Sequence, residues 1–476
     1  MNRRIFGIET EYGLNCSYPS VDASRLDAEA VARILFSPLV RAGRGVNVFL
    51  PNGGRIYLDV GAHPEYATAE CDRVEELLAQ VLAGDRMFAD LARQADEALA
   101  ADGVGARVHL LRTNEDNHAN AFGCHENYSL RRTSHFREVA DALVSFFVTR
   151  QILTGAGHLR AGNEDGTRDS SSPARFGFSG RSWHIDDAVS SATTRSRPII
   201  NTRDEPLADP SQFRRLHVIV GDTNISQSST ALKIVMTDLM LSAIENGVHI
   251  SDLALADPLT DIRRVDAHFL TPCQLRLVDG RVMTAVELQR ELRSRILDSV
   301  DLAGASPLTL KMVDLWQRGL DAVESGDWQS VSRELDWAVK YRMFTRFRQR
   351  SGATWDDPRL ARLELAYHDT VGQTLAGRME QSGELVRLVE PDEVSAAMDT
   401  APTSTRAHLR GKAIAAAWDT RADLSVDWMN LRLDSKVRQN LRLTDPFGED
   451  PSQRQAVEAM IEQMQADAGK HSEVWA

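Results

Sequence analysis

Hydrophobic and polar positions alternate most clearly between Arg55 and Val60, where the chain reads Arg-Ile-Tyr-Leu-Asp-Val. A period of two predicts a strand that sends Arg55, Tyr57 and Asp59 to one face and Ile56, Leu58 and Val60 to the core. Asn52, Gly53 and Gly54 ahead of it form a turn signal, and Val46 to Pro51 supplies a strand leading into that turn. A second strand is predicted over Arg4 to Leu14. There Glu9 and Glu11 share a face, and the run Ile5 to Ile8 is too apolar for an exposed edge. Further strands fall at Val108 to Thr113, at Gly123 to Leu130 with His125 and Asn127 on one face, and at Leu216 to Val220, beginning around His217.

Helical spacing predicts helices over Asp22 to Leu39, Asp72 to Ala101, Arg137 to Leu153 and Thr230 to Glu245. Thr284 and Glu287 make a capping box before a helix reaching Leu297. Two more helices follow over Leu308 to Glu324 and Trp328 to Arg348. The stretch Gly155 to Ser182, rich in Gly, Ser and Arg, reads as a long functional or mobile loop. Acids, Pro and Thr between Glu390 and Ser404 mark a domain boundary, giving residues 1–400 and a small unit of residues 401–476. That unit carries a strand-like run from Val426 to Leu433 containing Trp428, and a terminal helix from Ser452 to Ala466.

Composition narrows the class. The chain has 476 residues, 42% of them hydrophobic, enough for a large packed core. A formal net charge of -13 and the lack of a long basic run argue against nucleic acid as a partner. The four cysteines are widely spaced with no CxxC pair, which points to free thiols in a reducing cytoplasm rather than to a zinc site. The apolar run Ala142 to Val148 is far short of the roughly 20 residues of a membrane helix. Glu9 and Glu11 interrupt the N-terminus before any signal-peptide core can form.

The polar faces of the strands hold the chemistry. Arg55, Tyr57 and Asp59 are followed within a few residues by His63, Glu65, Thr68 and Glu70, a density that a plain solvent face does not need. Taken alone, such alternation more often marks a solvated face. Two carboxylates about 4 Å apart repel by roughly 4 kcal/mol at an effective dielectric near 20, so converging acids call for a cation or shared protons. Magnesium with ATP is a coherent ligand, because magnesium takes carboxylates, waters and phosphates. There is no GxxxxGK[ST] loop and no complete GxGxxG. Arg195, Arg197 and Arg203 suit phosphate, and pair equally well with surface acids.

The runs RRIFGIETEYG, NGGRIYLDVGAHPEYATAEC, GCHENY, SSATTRSRPIINTRDEP, RLHVIVGD, LAYHD and DWMNLRL span nearly the whole chain, and together they resemble the Pup–protein ligase family of actinobacteria. That resemblance implies an α+β fold, a glutamine synthetase-like curved antiparallel sheet with helices packed on it, plus a small C-terminal domain. It implies an ATP- and magnesium-dependent enzyme that activates the C-terminal glutamate of Pup, a small disordered ubiquitin-like protein, as a γ-glutamyl phosphate. A lysine of a target protein then attacks to form an isopeptide bond that marks the target for a proteasome. Carried over position by position, Asp59 matches the catalytic base, Glu9, Tyr57 and Glu65 the magnesium ligands, and Arg55, Thr68 and Trp428 the ATP contacts. Glu70 and His63 receive no role beyond a structural one. A homologous depupylase or deamidase, a small-molecule glutamate–amine ligase and a silent Pup-binding adaptor are the alternatives.

Overall fold

The alternating stretches converge on one eight-stranded sheet. In the structure, a computed structural model, the described residues are 3–19, 25–59, 61–115, 121–161, 173–192, 197–435 and 438–473. In chain order the strands are β1 (Phe6–Glu11), β2 (Gly13–Ser17), β3 (Asn47–Phe49), β4 (Arg55–Asp59), β5 (His63–Ala67), β6 (Arg107–Leu111), β7 (Cys124–Arg131), β8 (His158–Ala161), β9 (Ala174–Gly177), β10 (Asp187–Ser190), β11 (Pro198–Asn201), β12 (Phe213–Val218), β13 (Gln274–Arg276), β14 (Val282–Thr284), β15 (Leu424–Val426), β16 (Asn430–Leu433) and β17 (Gln439–Arg442). The helices are α1 (Ala28–Arg41), α2 (Val74–Ala101), α3 (Phe136–Thr154), α4 (Gln227–Glu245), α5 (Pro258–Ala267), α6 (Ala285–Ser299), α7 (Pro307–Ser325), α8 (Asp336–Ser351), α9 (Pro358–His368), α10 (Leu375–Gln381), α11 (Pro391–Asp399), α12 (Ala407–Thr420) and α13 (Pro451–Glu473).

The large sheet runs β10-β11-β12-β7-β1-β5-β4-β3, so β1 is central, as its apolar start requires. All its pairs are antiparallel except β10 with β11, which makes the expected antiparallel sheet a mixed one at that edge. Along β1 and β7 burial alternates. Phe6, Ile8, Tyr128 and Leu216 enter the main core under α2, α3 and α4, while Gly7, Glu9, Glu11, His125 and Asn127 take the opposite face. The α+β class is thereby explained: a helix layer covers one side of the sheet and leaves the polar side to carry chemistry.

Several boundaries differ from the sequence pattern, each for a local reason. The expected strand Arg4 to Leu14 breaks at Tyr12, whose N–H turns to Pro64 O, and β2 leaves to pair with β6 in a separate sheet. Strand β5 is unmarked by alternation, because Pro64 interrupts the pattern. A turn with Gly61 and Ala62 at positive φ nevertheless folds it back onto β4. Helix α1 starts at Ala28 on an Asp27 cap, later than expected. Within Gly155 to Ser182 the described residues are not loop throughout. They include the paired strands β8 and β9 and a 3-10 turn at Gly180–His184. Arg195 lies outside the described residues, and Arg203 pairs with Glu205 at 2.6 Å. The single strand expected over Val426 to Leu433 is two strands, β15 and β16, with Trp428 in the turn between them.

At the C-terminal end α12, β15, β16, β17 and α13 enclose a core of their own, made of Leu409, Ala413, Leu431, Leu433, Val457 and Met460. We propose that this core is the small unit that begins after residue 400. It is tied to the large sheet through buried Glu70, whose carboxylate accepts from Arg406 Nε at 2.9 Å and from Arg410 Nη1 at 2.9 Å.

Candidate active site

Antiparallel register assembles the polar face row by row, because directly opposed residues point to the same side. One row holds His125, Glu9, Ala67 and Arg55. The next holds Glu11, Glu65 and Tyr57, and the one beyond pairs His63 with Asp59. On the other flank His217 of β12 stands opposite Asn127. Glu9, Tyr57, Asp59, Glu65 and Arg55, which the sequence places on three separate segments, therefore share one surface.

Glu9 is gripped by bases. His125 Nδ1 lies 3.3 Å and His217 Nε2 3.7 Å from its Oε2, while Asn127 Nδ2 donates to its Oε1 at 3.1 Å. Burial pushes the Glu9 carboxyl up, but the His125 hydrogen bond and the surrounding basic side chains outweigh it and hold Glu9 well below the usual carboxylate range. Glu11 is half-buried, which pushes its carboxyl up. His63, whose Nδ1 lies 3.6 Å from Oε2, the charge of His125 and the Gly123 N–H at 2.9 Å together bring it down to about 2. Glu65 goes the other way: burial, then the charges of Glu9 and Glu11, drive it well above the usual range. The Tyr57 hydroxyl donates to Glu65 Oε1, and burial with the charges of Glu9 and Glu65 keeps that phenol protonated. Burial lowers His217 to about 3, leaving it a neutral imidazole at pH 7.

These opposed shifts describe a carboxylate cluster in which one member retains a proton. Oxygens of Glu11, Asp59 and Glu65 lie within 4.8 Å of one another. Glu9, His125 and His217 form a second such group. The first set is all oxygen and suits a hard divalent cation, and the second is mixed nitrogen and oxygen. Tyr57 meets this cluster through Glu65.

A pocket opens beside Glu9, lined by Gly7, Thr68, Asn127, Arg215, Arg406 and Trp428 among others. Gly7 forms part of its floor, where an added Cβ would stand 3.2 Å from Thr68 Oγ1. Thr68 Oγ1 accepts from Ile8 N at 3.1 Å, which locks the side chain at the wall. Arg55 lies 4.2 Å above the Tyr57 ring, with its Nε donating to Asn47 at 2.8 Å. Arg55 and Trp428 also line a neighbouring cleft, where the Trp428 ring meets Phe49 at 5.0 Å. Sequence reasoning gave no site role to His125, His217, Asn127 or Arg215. The alternation in GCHENY had placed His125 and Asn127 on one face, but nothing local said which face.

A model of the family described as Pup-ligase protein matches residues 4–432. The chain belongs to the Pup-ligase family. The Pup–protein ligase of Xylanimonas cellulosilytica is 46% identical over 471 residues, covering 98% of this chain and 100% of that protein. That of Brachybacterium faecium is 47% identical, covering 98% of each. Two solved structures of the family are similar throughout. A crystal structure of the complex between Pup and its ligase PafA superposes with a TM-score of 0.90 at 38% identity, covering 99% of this chain and 93% of that one. The Pup ligase PafA in complex with ADP gives 0.82 at 38% identity, covering 94% and 96%. The matched residues include the whole large sheet and run through α12 and β15 into β16.

Proposed function

We propose that this protein is an ATP-dependent ligase that activates the C-terminal glutamate of Pup and joins it by an isopeptide bond to a lysine of a target protein. The observation that carries the reading is the full-length similarity to Pup–protein ligases, together with a polar sheet face on which five separate acids and bases converge. The alternatives fall behind it: relatives named as ligases favour conjugation over release, and similarity to a ligase solved with Pup favours a protein substrate over a small one.

Magnesium fits the site, because Glu65 is forced to keep a proton among neighbouring carboxylates and a divalent cation would relieve that crowding. Glu9 and Glu65 would hold it, with Glu11 beside them and Tyr57 orienting Glu65. Bound there, the ion would neutralise charge on the transferred phosphoryl group. Arg55, Thr68 and Trp428 would bind the nucleotide, Trp428 and Thr68 at the pocket walls and Arg55 at the phosphate side.

Asp59 ends β4 at the exposed rim of the face, where an incoming lysine would arrive. A lysine with pKa near 10.4 is about 3.4 units from neutral at pH 7, a deprotonation costing roughly 4.6 kcal/mol. A carboxylate at the point of attack takes the ammonium proton as nitrogen meets the acyl phosphate and orients the cation beforehand. The product is a secondary amide: the new C–N bond replaces the bond from the acyl carbon to the bridging oxygen, which came from the glutamate carboxylate and leaves with phosphate. No described helix is long and apolar enough to cross a membrane. The four free cysteines fit a reducing cytoplasm.

The test is an assay with Pup ending in glutamate, ATP, magnesium and a lysine-bearing target. A conjugate larger by one Pup is expected. Release of Pup from a preformed conjugate without new conjugation would establish the depupylase reading instead.

A further inference from the structure

The three nucleotide contacts expected above come from places far apart in the chain, and one buried guanidinium touches all three neighbourhoods. Arg410 of α12 is fully buried. Its Nη2 donates to Gly53 O at 2.7 Å, two residues before Arg55, and its Nη1 donates to the backbone oxygen of Trp428 at 3.0 Å. The same guanidinium grips both oxygens of Glu70, two residues after Thr68. It also lies 5.1 Å from the Trp428 ring and 5.7 Å from that of Phe49. Arg406, the residue just before α12, donates to Glu70 at 2.9 Å, reaches Leu443 O at 2.9 Å and lines the pocket beside Glu9.

We infer that Glu70 and Arg410 are positioning residues for the nucleotide: their ion pair sets the spacing between the Arg55 strand, the Thr68 wall and the Trp428 turn. This rests on the ligase reading of the same site. A planar fork with two parallel donors fixes angle as well as distance, which the single ammonium of a lysine cannot do. The packing leaves no slack. Gly53 stands at φ 81°, where an added Cβ would be 2.8 Å from Ala407, and Gly411 lies so close to Pro51 O that an added Cβ would be 2.1 Å from it. Helix α12 thus meets the turn before Arg55 backbone to backbone, and Arg410 is the polar link across that contact. A bond serving only to hold the C-terminal unit would not need to end on the carbonyls of the two segments that flank the nucleotide.

The experiment is calorimetric titration of ADP into the full chain and its variants, at a temperature where circular dichroism shows each one folded. Arg410→Lys and Glu70→Gln are expected to weaken ADP binding about tenfold, the typical cost of losing a group that orients a ligand contact. The control is Arg150→Lys. Arg150 pairs with Glu126 in the core beneath the helix-covered face, at 2.6 Å and fully buried. Its loss should lower Tm and leave the ADP affinity unchanged. In a Trp428→Ala background the Arg410→Lys step should shrink to less than threefold, because the group it positions is gone. If Arg410→Lys does not fold, Glu70→Gln carries the test. ADP affinity within twofold of wild type in a folded variant, or an equal loss in Arg150→Lys, overturns the inference. Failure of the wild-type chain to bind ADP would instead overturn the ligase reading itself.

Discussion

At the scale of single residues, the site is organised by what each polar group does to its neighbour's proton. Glu9 is held ionised by His125 and the basic groups around it, and Glu11 by His63 and the Gly123 N–H, while burial and then the charges of those two drive Glu65 to keep its proton. Asp59 is the exposed member of the Glu11, Asp59 and Glu65 cluster, at the end of β4, and is the proposed acceptor of the lysine proton. Replacing it, Asp59→Asn, is expected to leave ADP binding within twofold of wild type and reduce single-turnover conjugation by at least about a hundredfold, the size of one general-base contribution. Conjugation at the wild-type rate would remove Asp59 from its role. Tyr57 tests a finer distinction. Since its hydroxyl donates to Glu65, Tyr57→Phe should raise the magnesium concentration for half-maximal conjugation about tenfold while saturating metal restores most of the rate. A rate that stays lost at saturating magnesium would make the phenol an obligatory ligand.

Among elements, α2 and β5 show how tightly the helix layer is fitted to the back of the sheet. Gly84 of α2 faces the Tyr66 ring, where an added Cβ would stand 2.2 Å from Cδ1. Tyr66 cannot swing away, because it is 1% exposed and its hydroxyl is bonded to Asn52 at 3.0 Å and Gln80 at 3.0 Å. Two effects oppose each other in Gly84→Ala. Helix propensity gains about 1 kcal/mol, while overpacking costs about 1–3 kcal/mol and here strains a hydrogen-bonded ring. Net destabilisation is expected, read as a lower urea midpoint at unchanged slope, and a higher midpoint would show that the helix can shift. Strand β5 carries the sharper lesson about sequence. Its Pro64 hides the alternation, yet it lies between β1 and β4 and brings Glu65 opposite both Glu11 and Tyr57. Only long-range pairing defines such a strand.

For the whole molecule, the buried Glu70 cluster ties the segment after β5 to α12 and makes that junction acid-sensitive. Burial raises the Glu70 carboxyl, but Arg410 and Arg406 overcome it and bring it down to about 2. The folded value lies below the unfolded one, near 4.3, so the unfolded chain binds this proton more readily. The contribution is fully present above about pH 4.5 and fades as pH falls toward 2, a loss of about 3 kcal/mol from this one group. Urea unfolding between pH 5 and 3 should show that slope in wild type and a flatter one in Glu70→Gln; equal slopes would place the acid sensitivity elsewhere. Much of this protein was legible in its residues. Period-two runs located β1, β4 and β7 and put Glu9, Glu11, Tyr57, Asp59 and His125 on strand faces, and 3.6-residue spacing located the helix layer, because side-chain periodicity is a local property of backbone geometry. The long motifs gave the family. Tertiary structure alone decided which faces meet: that His217 and His125 flank one carboxylate, that Tyr57 reaches Glu65, that β15 and β16 fold back to set Trp428 in a turn, and that Arg410 closes on Glu70 from 340 residues away. Register and cross-chain hydrogen bonds depend on the entire packed core, and no local pattern encodes them.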